Sequence, residues 1–294
     1  MSDFVQQQHT ICNFSNEGSW VILSPIEQSI KQKIESVGTP LKDWDIKIYR
    51  GVLTGYNEAF IISTEKRDEI LANCQTEDER LRTAELIRPI LRGRDIKRYG
   101  YDWANLWIIN THNGIKGVKP RIDINKYPAV KAHLDQYWDK ISKRADKGDT
   151  PYNLRNCAYL DDFFKPKVMW KIIGCNINFS FDDGTMICNN AVDIMTGQRN
   201  QLLQFLGLMN SKLFDWYLKL TTEAEVQGGG IQLYVTTLEK TLVKLDFPMY
   251  VSEVINQRVN GIATDTDVDN TIFEAYKLTQ EEIDYILSCK QVDR

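Results

Sequence analysis

Between Lys165 and Met195 the chain is a run of strand-forming segments broken by turn residues, and no other stretch limits the fold as much. KPKVMWKIIG and NFSFDDGTMICNN are rich in β-branched and aromatic residues, and AVDIM follows at once. Asp183-Gly184 predicts a hairpin turn inside this block. The next segment changes period: Leu202, Leu206, Met209, Leu213, Trp216 and Leu220 recur at helical spacing, interrupted at Asn210-Ser211, where one helix can stop and another be capped. Elsewhere helices and strands are irregularly placed, unlike the regular alternation of a doubly wound sheet. The expectation is an α+β fold: a twisted, mainly antiparallel sheet carrying the strands around Ile46, Ile108, Val168, Phe179 and Ile187, flanked by helices, with a small helical tail. We divide the chain into residues 1–250 and a helical tail, 251–294.

Local signals place the other elements. Ser24, Pro25 and Glu27 form a capping box with proline at the first helical position, and Gly38 stops that helix. Ile46 and Ile48 then alternate with polar residues, and Gly51 and Gly55 read as a tight turn between paired strands. Thr76 to Glu79 is a second capping box. Pro89 breaks the helix it opens, LWIINT (Leu106 to Thr111) is a buried strand, and Pro128 starts a long helix running through Ala145.

Charge is unevenly distributed. From Arg88 to Arg155 there are 15 Lys and Arg against 7 Asp and Glu, an excess of eight positive charges, whereas the whole chain carries −4 and the remainder therefore −12. LRGRDIKRYG concentrates cations around one acid, and HNGIKGVKPRIDINKYP adds more in a long loop around two glycines. One face is thus suited to an anion.

Other features remove function classes. Six cysteines (Cys12, Cys74, Cys157, Cys175, Cys188, Cys289) lack CxxC spacing, and three histidines lack metal-site spacing, so no metal site and no disulfide framework is expected. No apolar run is long enough to span a bilayer and the start lacks a secretory pattern, which leads us to expect a cytoplasmic protein with no membrane partner. DTPYNLRNCAY is only superficially like the amine-binding motif of amino-methyltransferases, because Thr150 stands where a proline is required and no glycine-rich turn follows a strand. Gly228-Gly229-Gly230 lacks the lysine and hydroxyl of a phosphate loop. The two C-terminal helices are no DNA-reading pair, since Glu281, Glu282 and Asp284 crowd the helix start that would enter the groove. No catalytic constellation is visible.

Taken together and in order, IYRGVLTGYNEAFII, IRPILRGRDIKRY, LWIINTHNG, YPAVKAHLD, TPYNLRNCAY with KPKVMW, LLQFLGLMNSKLF and DVDNTIFEAYKLTQEEIDYIL resemble the TaqI-like C-terminal specificity domain, the target recognition domain of type IIG restriction-modification enzymes. The stretch through MNSKLF to LEKTLVKLDFPM is also similar to recognition domains of type I specificity subunits. The resemblance implies a partner, double-stranded DNA, and further methyltransferase and nuclease domains, in the same polypeptide or a partner subunit. Those upstream domains would carry S-adenosylmethionine and magnesium and methylate adenine. Their motifs are absent here, so the sequence is expected to be a recognition fragment or stand-alone subunit that by itself holds no cofactor and neither methylates nor cleaves.

The resemblance also sorts the basic residues. Arg92, Arg94, Lys97 and Arg98 lie inside the motif shared with relatives of different target, which suits them to DNA phosphates. Base readers should lie outside it, and the candidates are Asn113, Lys116, Lys119, Arg121, Tyr152, Asn153 and Arg155, because Asn and Arg can contact adenine and guanine in bidentate fashion. Two alternatives stand beside DNA recognition: a protein-interaction scaffold, and an enzyme whose active site is not readable from sequence.

Overall fold

The computed structural model describes residues 23–174, 177–221, 225–226, 230–244 and 246–289; Cys12, Cys175 and Gly228-Gly229 lie outside the described residues. In chain order come α1 (Pro25–Val37), β1 (Gly38–Pro40), β2 (Ile46–Arg50), α2 (Asn57–Phe60), β3 (Ile61–Ser63), α3 (Thr64–Ala72), α4 (Glu77–Leu86), β4 (Ile87–Leu91) and β5 (Leu106–Ile109). Then follow α5 (Pro128–Asp135), α6 (Trp138–Ile141), β6 (Lys167–Lys171), β7 (Ile173–Gly174), β8 (Phe179–Asp182), β9 (Ile187–Cys188) and β10 (Val192–Gly197). The remainder is α7 (Arg199–Asn210), α8 (Lys212–Thr221), β11 (Glu225–Val226), β12 (Gly230–Gln232), α9 (Val235–Leu238), β13 (Leu242–Lys244), α10 (Met249–Val259), α11 (Asp265–Ala275) and α12 (Gln280–Ser288). The fold is α+β, as the sequence predicts. None of the described helices is long and apolar enough to cross a membrane.

The chain forms two compact units, one of residues 45–206 and 224–235, the other of 1–44, 207–223 and 236–294. In the first unit the five expected strands all form, but they divide between two sheets. One has the order β2-β10-β6-β8, antiparallel throughout, with Ile48 opposite Met195 and Val168 opposite Phe181. The other has the order β3-β5-β4-β9, in which β9 runs parallel to β4. A continuous core of Phe60, Ile90, Ile108, Leu134, Phe163, Met169 and Ile187 underlies them.

Two turns explain the division. Asp183-Gly184 does turn the chain, with Gly184 at φ +100°, yet it closes no hairpin. The Asp182 carboxylate accepts hydrogen bonds from the backbone N–H groups of Gly184 (3.0 Å), Thr185 (2.9 Å) and Met186 (3.2 Å), which swings the chain away so that Ile187 pairs with Ile90 of the other sheet. Gly51 likewise lies between strands that are not partners: β2 pairs with β10, and β3 with β5. A Cβ at Gly51 would stand 1.9 Å from the Asn189 carbonyl oxygen, so the glycine is needed for backbone-to-backbone approach, not for a hairpin turn.

The long helix expected after Pro128 is broken. Gln136 and Tyr137 bond three residues back, to His133 and Leu134, and α6 starts anew at Trp138. At the other end of α5, Glu79 reaches from α4 to accept the Ala129 N–H at 3.0 Å, satisfying a buried helix-end donor.

In the second unit, α1 carries its predicted capping box and buries Ile30 and Ile34. Asn210-Ser211 separates α7 from α8 as expected, with Ser211 Oγ accepting the Phe214 N–H at 3.2 Å. Thr279 and Glu282 cap α12, and Glu282 is buried there, taking Lys33 of α1 at 2.6 Å and Ser29 at 2.7 Å. The start of that helix is therefore covered by α1.

One core residue of the first unit is out of keeping with its surroundings. Asp193, second residue of β10, is buried, and desolvation pushes its carboxyl up to about 6, with Arg50 opposite offsetting only part. Because the folded pKa lies above the unfolded value, this group favours folding only when protonated, and stability should fall as pH rises from about 4 through about 6. Asp193→Asn is expected to raise stability at pH 7 by up to about 3 kcal/mol and to flatten that slope, as read by urea denaturation at pH 5 and pH 7. A variant no more stable than wild type at pH 7 would rule this out.

Candidate nucleic-acid interface

The basic residues after β4 are built into a single turn. Arg92 donates through Nε (3.0 Å) and Nη2 (2.8 Å) to Asp95, which also accepts the Arg92 backbone N–H at 2.8 Å. Burial pushes the Asp95 carboxyl up, but the Arg92 hydrogen bonds outweigh it and hold the carboxyl below its usual range. Arg92 is thus engaged in making the turn. Arg98 is half-buried with its guanidinium over the Tyr99 ring at 5.6 Å, and Tyr99, at φ 65°, bonds to the Phe179 carbonyl of β8 at 2.8 Å. Arg94 and Lys97 are exposed, Lys97 lying 3.6 Å from exposed Asp102. Of the four phosphate candidates, these two present their charge to solvent.

The loop after β5 is a narrow finger. Its sides pair through Ile115 and Lys119, whose backbones exchange hydrogen bonds of 2.8 and 2.9 Å, and Ile122 closes back on His112 at 3.0 Å. Gly114 (φ +76°) and Gly117 (φ +77°) take the left-handed conformations that the bends require, and a Cβ at Gly114 would stand 2.4 Å from the Lys119 carbonyl oxygen. Lys116, Gly117 and Val118 form the exposed tip, Val118 at 77%.

Around the finger the structure gathers Asn113, Lys116, Lys119 and Arg121 on the wall of an open cleft of about 870 Å³, together with Asp149 and Asn156. Asp149 organises two of them. Its carboxylate accepts from Asn113 Nδ2 (3.0 Å) and Arg121 Nη1 (3.3 Å), and its own N–H donates to Asn113 Oδ1 at 2.8 Å. The Asn113 hydrogen bond is the main cause that holds the Asp149 carboxyl below its usual range. Lys119 pairs with Asp161 at 2.7 Å. Such exposed ion pairs contribute about 0 to 1 kcal/mol and exchange readily for another anion or acceptor.

The remaining candidates lie elsewhere. Arg155 pairs with Asp146 at 3.1 Å. The Tyr152 ring lies tilted against Trp138, centroids 5.4 Å apart, and its hydroxyl donates to Asp135 at 2.6 Å. Asn153 is 1% exposed, and its amide donates to the Ile122 carbonyl at 2.9 Å, so it fixes the base of the finger and is not presented to a ligand. Sequence reasoning missed Asp149, and it read Arg144 only as part of the largely basic far end, with Lys143 and Lys147, of the helix after Pro128. Arg144 is buried, over the Phe60 ring at 4.4 Å, donating to the carbonyls of Thr54, Asp146 (2.9 Å), Pro151 (3.1 Å) and Asn153. Burial pulls its pKa down to about 10, which leaves it charged at neutral pH. The two glycines and the Asp-rich segment around Asp146 and Asp149 were the available signals, but none reveals which acid faces which base.

Residues 88–241, just over half of the chain and including all eleven candidate positions, match the TaqI-like C-terminal specificity domain. The chain belongs to that family. No curated protein matches it. Among solved structures, the fold of this specificity domain is similar to part of the type IIL restriction-modification enzyme MmeI in complex with DNA, at TM-score 0.55 and 12% identity over 85% of this chain and 35% of that one. It is also similar to the type IIG restriction endonuclease BpuSI, at TM-score 0.53 and 12% identity over 88% of this chain and 33% of that one. The chain thus spans about a third of each enzyme's length.

Proposed function

We propose that this specificity domain recognises a particular duplex DNA sequence for a type IIG-like restriction enzyme that also methylates adenine. The observation that carries the reading is the finger of Asn113 to Arg121. Its backbone is cross-bonded between Ile115 and Lys119 and between Ile122 and His112, and it presents Asn113, Lys116, Lys119 and Arg121; exposed carboxylates hold Lys119 and Arg121, while Asp149 and Asn156 hold Asn113. Family membership supports the choice of DNA as the ligand. In this reading Arg94 and Lys97 meet phosphates, while Asn113, Lys116, Lys119 and Arg121 approach base edges, with Asp149 holding Asn113 and Arg121 in position between encounters. Tyr152 and Arg155 lie outside the finger, Arg92 and Arg98 shape the phosphate-binding turn, and Asn153 supports the finger from below. Methyl transfer with S-adenosylmethionine and magnesium-dependent cleavage belong, in this proposal, to other domains of the polypeptide or to a partner subunit. A net charge of −4 is compatible with a domain whose affinity is supplemented by those partners.

Neutralising Arg94 or Lys97 is expected to weaken cognate and random duplexes alike, each lost contact making the slope of log K against log salt shallower by about 0.9. Replacing Lys116, Lys119 or Arg121 should cost about 1 to 3 kcal/mol on the cognate site alone. Affinities for both duplexes at several salt concentrations, in the complete enzyme, separate the two groups. Equal losses on cognate and random DNA in both groups would remove the finger as reader.

A further inference from the structure

Lys119 also lines a second pocket, of about 510 Å³, shared with Arg82, Arg88, Asn110, His112 and Phe164. The antiparallel register of β4 and β5 builds it: Arg88 lies opposite Ile108, and Asn110 follows two residues on, bonded through its N–H to Leu86, so both side chains leave the same face of the sheet. Arg82 and Lys119 already have carboxylate partners in Asp78 and Asp161. Among the described residues Arg88 has none. Its guanidinium rests on the Phe164 ring at 5.1 Å, and its Nε is buried without a hydrogen-bond partner. Asn110 is 6% exposed, and its Oδ1 accepts no hydrogen bond. An amide whose oxygen is not held can turn its NH₂ toward a ligand. The third group, His112, accepts the Gly114 N–H at Nδ1 (3.1 Å), which places its own proton on Nε2. Burial, with Lys119 nearby, pulls its pKa down and keeps the ring neutral.

The pocket therefore offers two donors without acceptors, a guanidinium and an imidazole N–H, beside an amide whose unbonded oxygen leaves it free to turn its NH₂ inward, with one carboxylate, exposed Glu85, among its lining residues. A half-buried guanidinium without a counter-ion is costly, and a phosphate oxyanion would supply both the charge and the acceptors. We propose that this pocket is a preformed site for one phosphate group, separate from the Arg94 and Lys97 turn. The source of that phosphate is either the backbone of the bound duplex, a choice that rests on the DNA reading above, or a free phosphate.

Inorganic phosphate titrated into the full chain and followed by phosphorus NMR tests the site without DNA. Arg88→Gln should weaken phosphate binding by about tenfold and Asn110→Leu by about threefold, each with a melting temperature near that of wild type. Arg88→Lys, which keeps the charge, should retain most of the binding and so separates loss of the site from loss of the fold. In parallel, the salt slope of random-duplex binding should become shallower by about 0.9 in Arg88→Gln if the phosphate comes from DNA, and stay unchanged if the site takes free phosphate only. Wild-type binding of phosphate without any salt-dependent duplex binding would refute the DNA reading and leave the site standing. If folded Arg88→Gln matches wild type in both phosphate affinity and salt slope, the proposal is overturned.

Discussion

Lys167→Ala is expected to destabilise the chain by about 3 to 5 kcal/mol, because it leaves the Asp182 carboxylate buried without its counter-ion. The pair is fully buried: Lys167 Nζ donates to Asp182 and to the Phe163 carbonyl at 2.7 Å, and Asp182 also takes Thr185 Oγ1 at 2.6 Å and Tyr101 at 3.2 Å. Burial pushes the Asp182 carboxyl up, but Lys167 and the turn donors outweigh it and hold it below its usual value. A depressed folded pKa contributes stability that is complete above the ordinary carboxylate range and is lost as pH falls through the folded pKa. Wild type should therefore lose stability from Asp182 only in acid. In Lys167→Ala the carboxyl loses the largest influence lowering its pKa, so the deficit against wild type should be greatest at pH 7 and shrink toward pH 4. Urea denaturation at the two pH values reads this, and a deficit under about 1 kcal/mol at pH 7 would sink the argument. The same pair steers β9 onto β4, the strand that leads into the Arg92 turn, so on the proposed DNA reading the binding of random duplexes should also weaken in this variant. A hydrophobic double replacement should recover only part of the loss, because the N–H groups of residues 184–186 would remain without their acceptor.

Arg144→Met should cost a similar amount, about 3 to 5 kcal/mol, and do so with a functional consequence. Methionine keeps much of the packing against Phe60 but leaves the carbonyls of Thr54, Asp146, Pro151 and Asn153 without the shared donor that converges on them. Arg144→Lys should rescue little, since an ammonium offers three donors from one point and cannot reproduce the planar fork. The segment tied down by Arg144 holds Asp149 and Asn153, which in turn position Asn113, Arg121 and the base of the finger. Hydrogen exchange should therefore quicken at residues 149–155, and on the proposed DNA reading the ratio of cognate to random affinity should fall more than random affinity itself. Unchanged exchange in that segment, or an unchanged affinity ratio in a folded variant, would show that Arg144 acts on stability alone.

Much of the architecture was legible because it is written in short-range chemistry. Ser24 with Glu27 and Thr279 with Glu282 cap their helices as their spacing requires, the Asn210-Ser211 break falls where the helical period lapses, and the five strands appear where β-branched and aromatic residues cluster. What failed were inferences from local turns to long-range pairing. Asp183-Gly184 and Gly51 look like hairpin turns, yet strand partners are chosen by contacts distant in sequence: the Lys167 side chain pins Asp182, and the backbone carbonyl of Asn189 fills the space a side chain at position 51 would need.

The candidate interface divides the same way. The concentration of positive charge between Arg88 and Arg155, the finger with its two glycines and the family resemblance were all present in the sequence, since each depends on composition or on neighbouring residues. Which cations face solvent and which are built into the fold was decided only by tertiary structure, because a charge is available to a ligand when its partners are exposed and weak, and unavailable when they are buried. Arg94 and Lys116 remain at the surface, Arg92 is taken up by Asp95, Arg144 lies in the core under four carbonyls, and Asn153 is enclosed beneath the finger. In sequence these are simply members of one basic, polar stretch; the burial of each side chain, set by contacts across the fold, separates them.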